Sequence, residues 1–376
     1  MADRTLIEWA DATINPFPGC SHARLPDGTV SPACGGGCYA ERVAARMSTN
    51  PVVNKYHGLA VFGQDGTPAW TGQVGFAPQD LEKPRKWTRP RRIFVESMGD
   101  IAHESLTPQR WLPFWDLLRD NVSRKQPHTY YLLTKRPAHL RLLLESMRRG
   151  NALGEPSAFA AAMGPAKMEA LYWKIMQWVV CMATTENQAA ADYRVPDLVR
   201  CPALHFGVSA EPLVGPLDLR RWLRRPGDLR VGFICDACGP GGVDEDGCCT
   251  SCGADAREVP GLGWIITGGW TGPRATPSHP QWSRDLRDQA RGAGVPFFFK
   301  QHGEWAQVCY FPGGLQPGNL LMLPDGRTFT FASKVDIPVD APLAAEMCRV
   351  GKRAAGRLLD GVEHSEIPVV GEGALP

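Results

Sequence analysis

Apolar and polar positions along this chain fall into two rhythms. Short runs of aliphatic, β-branched and aromatic residues recur at "IFVES" 93–97, "TYYLLT" 129–134, "WVVCMAT" 178–184, "ALHFGVS" 203–209, "GWIITGG" 263–269 and "PFFFKQ" 296–301. Apolar on both faces and only a few residues long, they predict buried strands of a parallel sheet. "LIEW" 6–9 and "QVGF" 73–76 are weaker candidates, the former standing as the first strand. Between the runs the spacing becomes helical. Residues 107–121 offer Thr107 as a cap and Pro108 for the first turn, and 137–149 are rich in Leu and Arg. In 279–291, Trp282, Leu286 and Ala290 recur at a spacing of four and mark one stripe facing a core.

Strand and helix in alternation give an α/β fold, a parallel sheet with helices outside, open or closed as a full or partial (β/α) TIM-type barrel. A chain of 376 residues suits one such domain over 1–376 with additions. Three stretches stand out as additions: 150–172, rich in Ala, Gly and Met; 235–253, a cysteine cluster; and a C-terminal extension over 305–376. Chemistry in such folds collects at the carboxyl ends of the strands. The residues just after the runs are therefore the candidates: Asp100, Lys135, Arg136, Glu186, Asn187, Ser209, Glu211, Gly268, Gly269, Lys300 and Gln301.

Composition narrows the class. With 43% hydrophobic and 21% charged residues, the chain has the makings of a substantial core rather than of a disordered polymer. Its 41 basic and 39 acidic residues leave a net charge of +2, too little for general attraction to a polyanion, so any such site must be local. The densest local run is "KPRKWTRPRR" 83–92, which reads either as a phosphate-tracking patch around Trp87 or as a solvated approach to the next strand. No apolar stretch nears the roughly 18 residues of a membrane span. The opening "MADRTLIEWADAT" lacks a secretory core, so a cytoplasmic protein with no membrane partner is expected. In a reducing compartment, twelve cysteines point to metal rather than to a disulfide framework.

The cysteines cluster twice. Cys20, Cys34 and Cys38 share the loop "GCSHARLPDGTVSPACGGGCYAER" 19–42 with the spacing C-x13-C-x3-C. Three thiolates from one loop can hold three irons of a [4Fe–4S] cluster and leave the fourth open to an outside ligand. The same thiols with His22 would also suit zinc, and spacing alone leaves both readings open, beside that of unliganded cysteines. In "CDACGPGGVDEDGCCTSCG" 235–253, the pairs Cys235/Cys238 and Cys249/Cys252 make two CxxC turns suited to a structural zinc. Four thiolates would satisfy an auxiliary iron–sulfur cluster equally well.

Nine stretches, "IEWADATINPFPGC", "CYAER", "IFVESMGDIAHE", "YYLLTKRP", "TTENQ", "VSAEPLVGPLDL", "GWIITGGWTGP", "GVPFFFKQHGEW" and "RVGKRAAGRLLDG", run in order from residue 7 to 361. In these the chain resembles the phage Gp37/Gp68 family, also called DUF5131, whose members are similar to radical S-adenosylmethionine proteins. The resemblance implies a barrel of that kind, a [4Fe–4S] cluster on Cys20, Cys34 and Cys38, S-adenosylmethionine as cofactor and an external electron donor. For that cofactor, Lys135 or Arg136 would pair with the methionine carboxylate and Glu186 or Glu211 would accept from ribose hydroxyls, with Ser209 in the same cofactor-binding set, unless these charges serve structural salt bridges. Gly268 and Gly269 would let backbone approach the methionine or adenine moiety, unless they serve only tight packing. Asp100 and Lys300 become the candidates for substrate positioning or proton transfer. Two departures stand out. Three glycines, Gly35 to Gly37, separate the second and third cysteines where two residues are usual, and Trp270 stands where an acidic residue is common. The family's occurrence in phages suggests hypermodification of a DNA base, with DNA or a modified nucleotide as substrate and the base leaving the stack to be reached. A zinc-dependent nucleic-acid-binding module without radical chemistry is the competing expectation. A metal-dependent hydrolase would need a His and carboxylate constellation, and His22, His57, His103, His205 and His302 are too dispersed to announce one.

Overall fold

The computed structural model describes residues 5–35, 37–50, 54–150, 158–223, 230–235, 239–241, 256–307, 318–330 and 343–371. Seven short apolar segments become one parallel sheet: β1 (Ala12–Ile14), β2 (Arg92–Val95), β3 (Thr129–Thr134), β4 (Val179–Thr184), β5 (His205–Ala210), β6 (Ile265–Thr267) and β7 (Phe297–Phe299). Spatial order equals chain order. Each strand pairs in parallel with the next, from Ala12 opposite Ile93 through to Thr267 opposite Phe299. A sheet without a reversal in strand order keeps its crossovers on one side, as a barrel does. The sheet here ends at β1 and β7 and forms a half-barrel rather than a closed TIM barrel.

Two expected strands are absent. The first strand is Ala12–Ile14, whereas residues 6–9 make a turn in which Ala10 N–H donates to the Ile7 carbonyl. Residues 73–76 run as an irregular segment beside the loop after β1, where the Gly75 N–H donates to the Pro18 carbonyl. Four apolar letters are too few to separate a strand from a fixed loop.

Helices α1 (Tyr39–Ser48) and α2 (Pro78–Lys86) link β1 to β2, and α3 (Pro108–Asn121) links β2 to β3. Thr107 caps α3, accepting from the Arg110 N–H, with Pro108 in the first turn. Helices α4 (Pro137–Arg148) and α5 (Pro165–Met176) lie between β3 and β4, α6 (Gln188–Val199) follows β4, and α7 (Pro280–Gly292) joins β6 to β7. Trp282, Leu286 and Ala290 are all buried, as their spacing requires. Within the stretch 150–172 begins α5, which buries Met168, Tyr172, Ile175 and Met176.

Alternation along the strands sorts two cores. Ile93, Leu132, Cys181, Val208 and Phe297 face the helices, whereas Phe94, Tyr131, Met182, Ile266 and Phe298 face the concave side. There Trp9 packs 4.9 Å from Phe94, 5.6 Å from Tyr131 and 6.0 Å from Trp264, measured between ring centroids. Ile367 and Val370, from the far end of the chain, pack on the same cluster, and the Glu366 carbonyl accepts from Trp264 Nε1. Side chains from the two chain ends therefore fill the amino-terminal half of the concave face. Its carboxyl end is lined by polar groups.

The extension over 305–376 contributes a four-stranded antiparallel sheet in the order Trp305–Gln307, Ala345–Arg349, Leu320–Met322, Thr328–Thr330. Between β5 and β6 lies a smaller sheet of Arg230–Cys235, Gly239–Gly241 and Ala256–Pro260. Cys235 ends its first strand, while Cys238, Cys249 and Cys252 lie outside the described residues, so the proposed zinc clasp does too. No helix among the described residues is long and apolar enough to cross a membrane.

The basic run 83–92 spans the end of α2 and the entry to β2, at the opposite end of the sheet from Cys20. Lys83 pairs with Asp80 at 2.6 Å, Arg85 with Glu82 and Asp120, and Arg92 with Asp11 at 2.7 Å. Trp87 is buried, with the Arg91 guanidinium stacked 4.4 Å over its ring. The run forms the approach to β2, while Lys86 and Arg89 stay exposed.

Candidate functional site at the carboxyl end of the sheet

The loop after β1 is fixed atom by atom. Asn15 N–H donates to Asp80 Oδ2 at 2.9 Å, Phe17 N–H to Glu96 Oε1 at 2.5 Å, and Gly19 N–H to the Met98 carbonyl at 3.1 Å. Gly19 adopts φ +105, and a Cβ there would lie 2.3 Å from the Gln73 carbonyl oxygen, so only glycine admits the chain at this point. Cys20 follows it. Cys34 sits in the helical turn Pro32–Gly35, and Cys38 occupies the position before α1. Tyr39, next in the chain, donates its hydroxyl to the Ser97 carbonyl at 2.5 Å. All three cysteines are free thiols. Burial pushes the Cys20 thiol up to about 12, with Asp100 adding to the shift and Arg136 opposing it. Burial raises Cys38 as well, against the N–H groups of Glu41 and Ala40 in the first turn of α1. The charge of Cys34 acts on both, which brings the three into one electrostatic neighbourhood.

Arg136 ties this loop to the sheet. Its Nη1 lies 2.9 Å from Asp100 Oδ2 and 3.7 Å from Cys20 Sγ. Nη2 donates to the carbonyl and the hydroxyl of Ser21, each at 2.9 Å, and Nε to Glu104 Oε1 at 2.6 Å. Asp100 also accepts from Thr134 Oγ1 at 2.5 Å and from the N–H groups of Ala102 and Lys135. Burial works to raise the Asp100 carboxyl, but Arg136 and these donors outweigh it and hold the group below the usual range. Arg136, expected to meet cofactor, and Asp100, expected to meet substrate, are thus engaged with each other, and Arg136 also bonds to the cysteine loop.

Lys135 differs. Its ammonium has no hydrogen-bond or ion-pair partner among the described residues. Burial works to lower its pKa, and the charges of Cys34, Glu186 and Cys38 outweigh that and raise it. Glu186 is itself occupied: Oε2 pairs with Arg194 Nη1 at 2.6 Å, both residues fully buried, and Oε1 accepts from Ser31 Oγ at 2.5 Å. Ser31 belongs to the cysteine loop, so Glu186 is a second tie between loop and sheet.

Ser209, Glu211, Gly268 and Lys300 form a separate group across the sheet. Ser209 Oγ donates to Glu211 Oε2 at 3.0 Å, and Lys300 Nζ lies 3.2 Å from Glu211 Oε1. A Cβ on Gly268 would stand 2.9 Å from Glu211 Oε1, and one on Gly269 would stand 1.9 Å from the His302 carbonyl oxygen. The paired glycines therefore admit the protein's own side chain and backbone. Gln301 completes that packing, donating to the Gly269 carbonyl at 2.9 Å.

A single zinc ion draws thiolate and imidazole ligands to within about 2.0–2.3 Å of one point. No three His, Cys, Asp or Glu side chains among the described residues converge in that way. His22 Nε2 pairs instead with Glu41 Oε1 at 2.9 Å. A cubane cluster asks less convergence, because each thiolate binds its own iron. Three free thiols on one fixed loop, flanked by Arg136 and Lys135, fit that donor set, and each would release its proton on binding iron.

Several residues here gave little or no signal in the sequence. Glu96 lies at the end of β2 with φ +66, its Oε2 buried without a hydrogen-bond partner among the described residues, and burial pushes its carboxyl up to about 8. Arg194 lies mid-helix, and Ser21 and Ser31 are ordinary loop serines. A lone acid closing an apolar run was the one legible hint, at Glu96.

A family model described as a protein of unknown function, DUF5131, matches residues 4–368. No curated protein and no solved structure matches the chain.

Proposed function

The chain belongs to the DUF5131 family, and from that premise and the fixed three-cysteine loop we propose that it is a radical S-adenosylmethionine enzyme. Cys20, Cys34 and Cys38 would hold a [4Fe–4S] cluster. When bound, the cluster and S-adenosylmethionine supply a one-electron cleavage that yields a 5′-deoxyadenosyl radical, with the electron coming from an external donor. The observation that carries the reading is the position of the three thiols: one loop delivers them to the carboxyl end of a parallel half-barrel, where chemistry in such folds gathers.

The chain's own groups take distinct parts. Arg136 orients the loop through Ser21 and keeps positive charge beside Cys20, which offsets part of the burial that raises the thiol. Glu186 and Arg194 fix Ser31 from the other side. Lys135 is the cation left to take a carboxylate, since Arg136 is committed. Lys300 and Glu211 lie across the sheet and would position substrate. The aromatic floor around Trp9 closes the far half of the concave face to water. A group attached to a nucleobase of DNA is the first substrate to try.

The test is electron paramagnetic resonance of anaerobically reconstituted, dithionite-reduced protein, with and without S-adenosylmethionine. A reduced [4Fe–4S] signal that shifts on adding the ligand is the expected result. Retention of zinc alone, with no stoichiometric cluster, would overturn the proposal in favour of a zinc-dependent nucleic-acid-binding module.

A further inference from the structure

Beside the strand ends, the cysteine loop borders a second concavity. It is a cleft of about 500 Å³ between α1, the hairpin of Ala60–Phe62 and Pro68–Trp70, and the loop after β6. Cys34, Gly37, Arg42, Arg46, Phe62 and Arg274 line it. Arg42 and Arg46 stand four residues apart on α1 and so share a face. Arg274 arrives from the other end of the chain. A Cβ on Gly37 would lie 3.7 Å from Arg42 Nη2 and 3.9 Å from Arg274 Cδ, so the two side chains meet at the glycine next to Cys38.

None of the three guanidinium groups has an ion-pair or hydrogen-bond partner among the described residues. The acids at the cleft are engaged elsewhere or lie at its rim. Glu41 pairs with His22 and accepts from the Trp70 N–H at 2.7 Å. Asp65 accepts from the N–H and hydroxyl of Thr67, and the charge of Arg274 reaches it. Arg349 donates to the carbonyls of Gly272 and Pro273, each at 2.9 Å, and so fixes the loop that presents Arg274. Phe62 on the wall is 45% exposed.

We propose that this cleft binds a single nucleic-acid strand, with Arg42, Arg46 and Arg274 on its phosphates and Phe62 stacked on a base. A basic groove with an exposed aromatic face is the composition that holds single strands without reading their sequence. Local concentration matters here because the chain as a whole carries a net charge of only +2. The run 83–92 is largely committed to its own acids and lies at the other end of the sheet, whereas this cleft opens beside Cys34. The inference rests on the radical reading for the purpose of bringing a strand there. The binding itself does not require the cluster.

Fluorescence anisotropy with labelled single-stranded DNA and RNA oligonucleotides of about 20 nucleotides, longer than one such site needs, tests it. Replacing all three residues (Arg42→Gln, Arg46→Gln, Arg274→Gln) should weaken binding at least about tenfold and lower the slope of log K against log salt by about 2, three contacts at roughly 0.7 each. The corresponding lysine variant should keep most of the slope, which separates lost charge from lost fold. Phe62→Ala should weaken binding without changing the slope. Wild-type affinity and slope in the glutamine variant overturn the site. Displacement of the strand by inorganic phosphate at equal phosphate concentration, or equal affinity for duplex DNA, overturns the assignment to a strand. The two proposals fail separately: strand binding without an iron–sulfur signal leaves only this one, and the signal without strand binding leaves only the other.

Discussion

Arg136 Nη1 stands 2.9 Å from Asp100 Oδ2, and both side chains are buried where the cysteine loop meets the sheet. A buried carboxylate whose cation is removed remains as an uncompensated charge. Arg136→Met should therefore cost about 3–5 kcal/mol of unfolding free energy in urea titrations. Adding Asp100→Asn to that variant should restore part of the loss. Because the Asp100 carboxyl is held below its ordinary value, its contribution is present above that value and disappears as pH falls through the folded-state pKa. The difference between wild type and variant should accordingly shrink in acid. A loss of stability that does not vary with pH would show that the ion pair is not its source.

Lys135 should behave in the opposite way. Its ammonium makes no hydrogen bond or ion pair among the described residues, so Lys135→Met should change stability by less than about 1 kcal/mol. Under the proposed function it should also weaken S-adenosylmethionine binding by about tenfold or more, the scale of a lost charge-assisted hydrogen bond. Calorimetry on the reconstituted protein reads both quantities. Unchanged affinity would remove Lys135 from the cofactor site.

Glu96 gives a pH dependence of the other sign. With its carboxyl raised to about 8 by burial, the folded chain holds a proton that the unfolded chain releases near the ordinary glutamate value of 4.5. Stability from this group is complete below that lower value and falls as pH rises toward 8, by an amount on the order of a few kcal/mol. Melting temperature measured from pH 5 to about 8.5 should decline in wild type. In Glu96→Gln, which keeps an acceptor for the Phe17 N–H, the decline should be flatter.

Gly269 and Gly35 make a matched pair. Alanine at 269 brings a Cβ to 1.9 Å from the His302 carbonyl oxygen, so backbone must move, and Gly269→Ala should lower stability by several kcal/mol or abolish soluble expression. At Gly35 the nearest atom is Val30 Cγ1 at 3.5 Å, an ordinary contact. Gly35→Ala should be tolerated to within about 0.5 kcal/mol in the same melting assay. Equal effects at both positions would contradict the packing described for the paired glycines.

Much of the framework was legible in the letters. The runs at 129–134 and 178–184 coincide almost residue for residue with β3 and β4, because strands buried on both faces must be apolar throughout. Thr107 and Pro108 announced the start of α3 through chemistry confined to one helical turn. Trp282, Leu286 and Ala290 announced the buried face of α7. The same reading placed Asp100, Lys135, Arg136 and Glu186 at strand ends, where they are found. It missed the turn at 6–9, whose Trp9 enters the concave core without belonging to a strand.

What the sequence determined by itself was the type and the buried face of the long, strongly patterned elements, since periodicity is a local consequence of helix and strand geometry. Tertiary structure alone decided which side chains came together. It left the sheet a half-barrel, with aromatic residues and the chain's far end filling one half of its concave face. It committed Arg136 to Asp100 and left Lys135 without a hydrogen bond or ion pair among the described residues. It matched much of the basic run 83–92 to Asp11, Asp80, Glu82 and Asp120, and brought Arg274 beside Arg42 at the edge of the cysteine loop. Charge and hydrogen bonding act through space between residues far apart in the chain, so their partners are known only once the fold has brought them together.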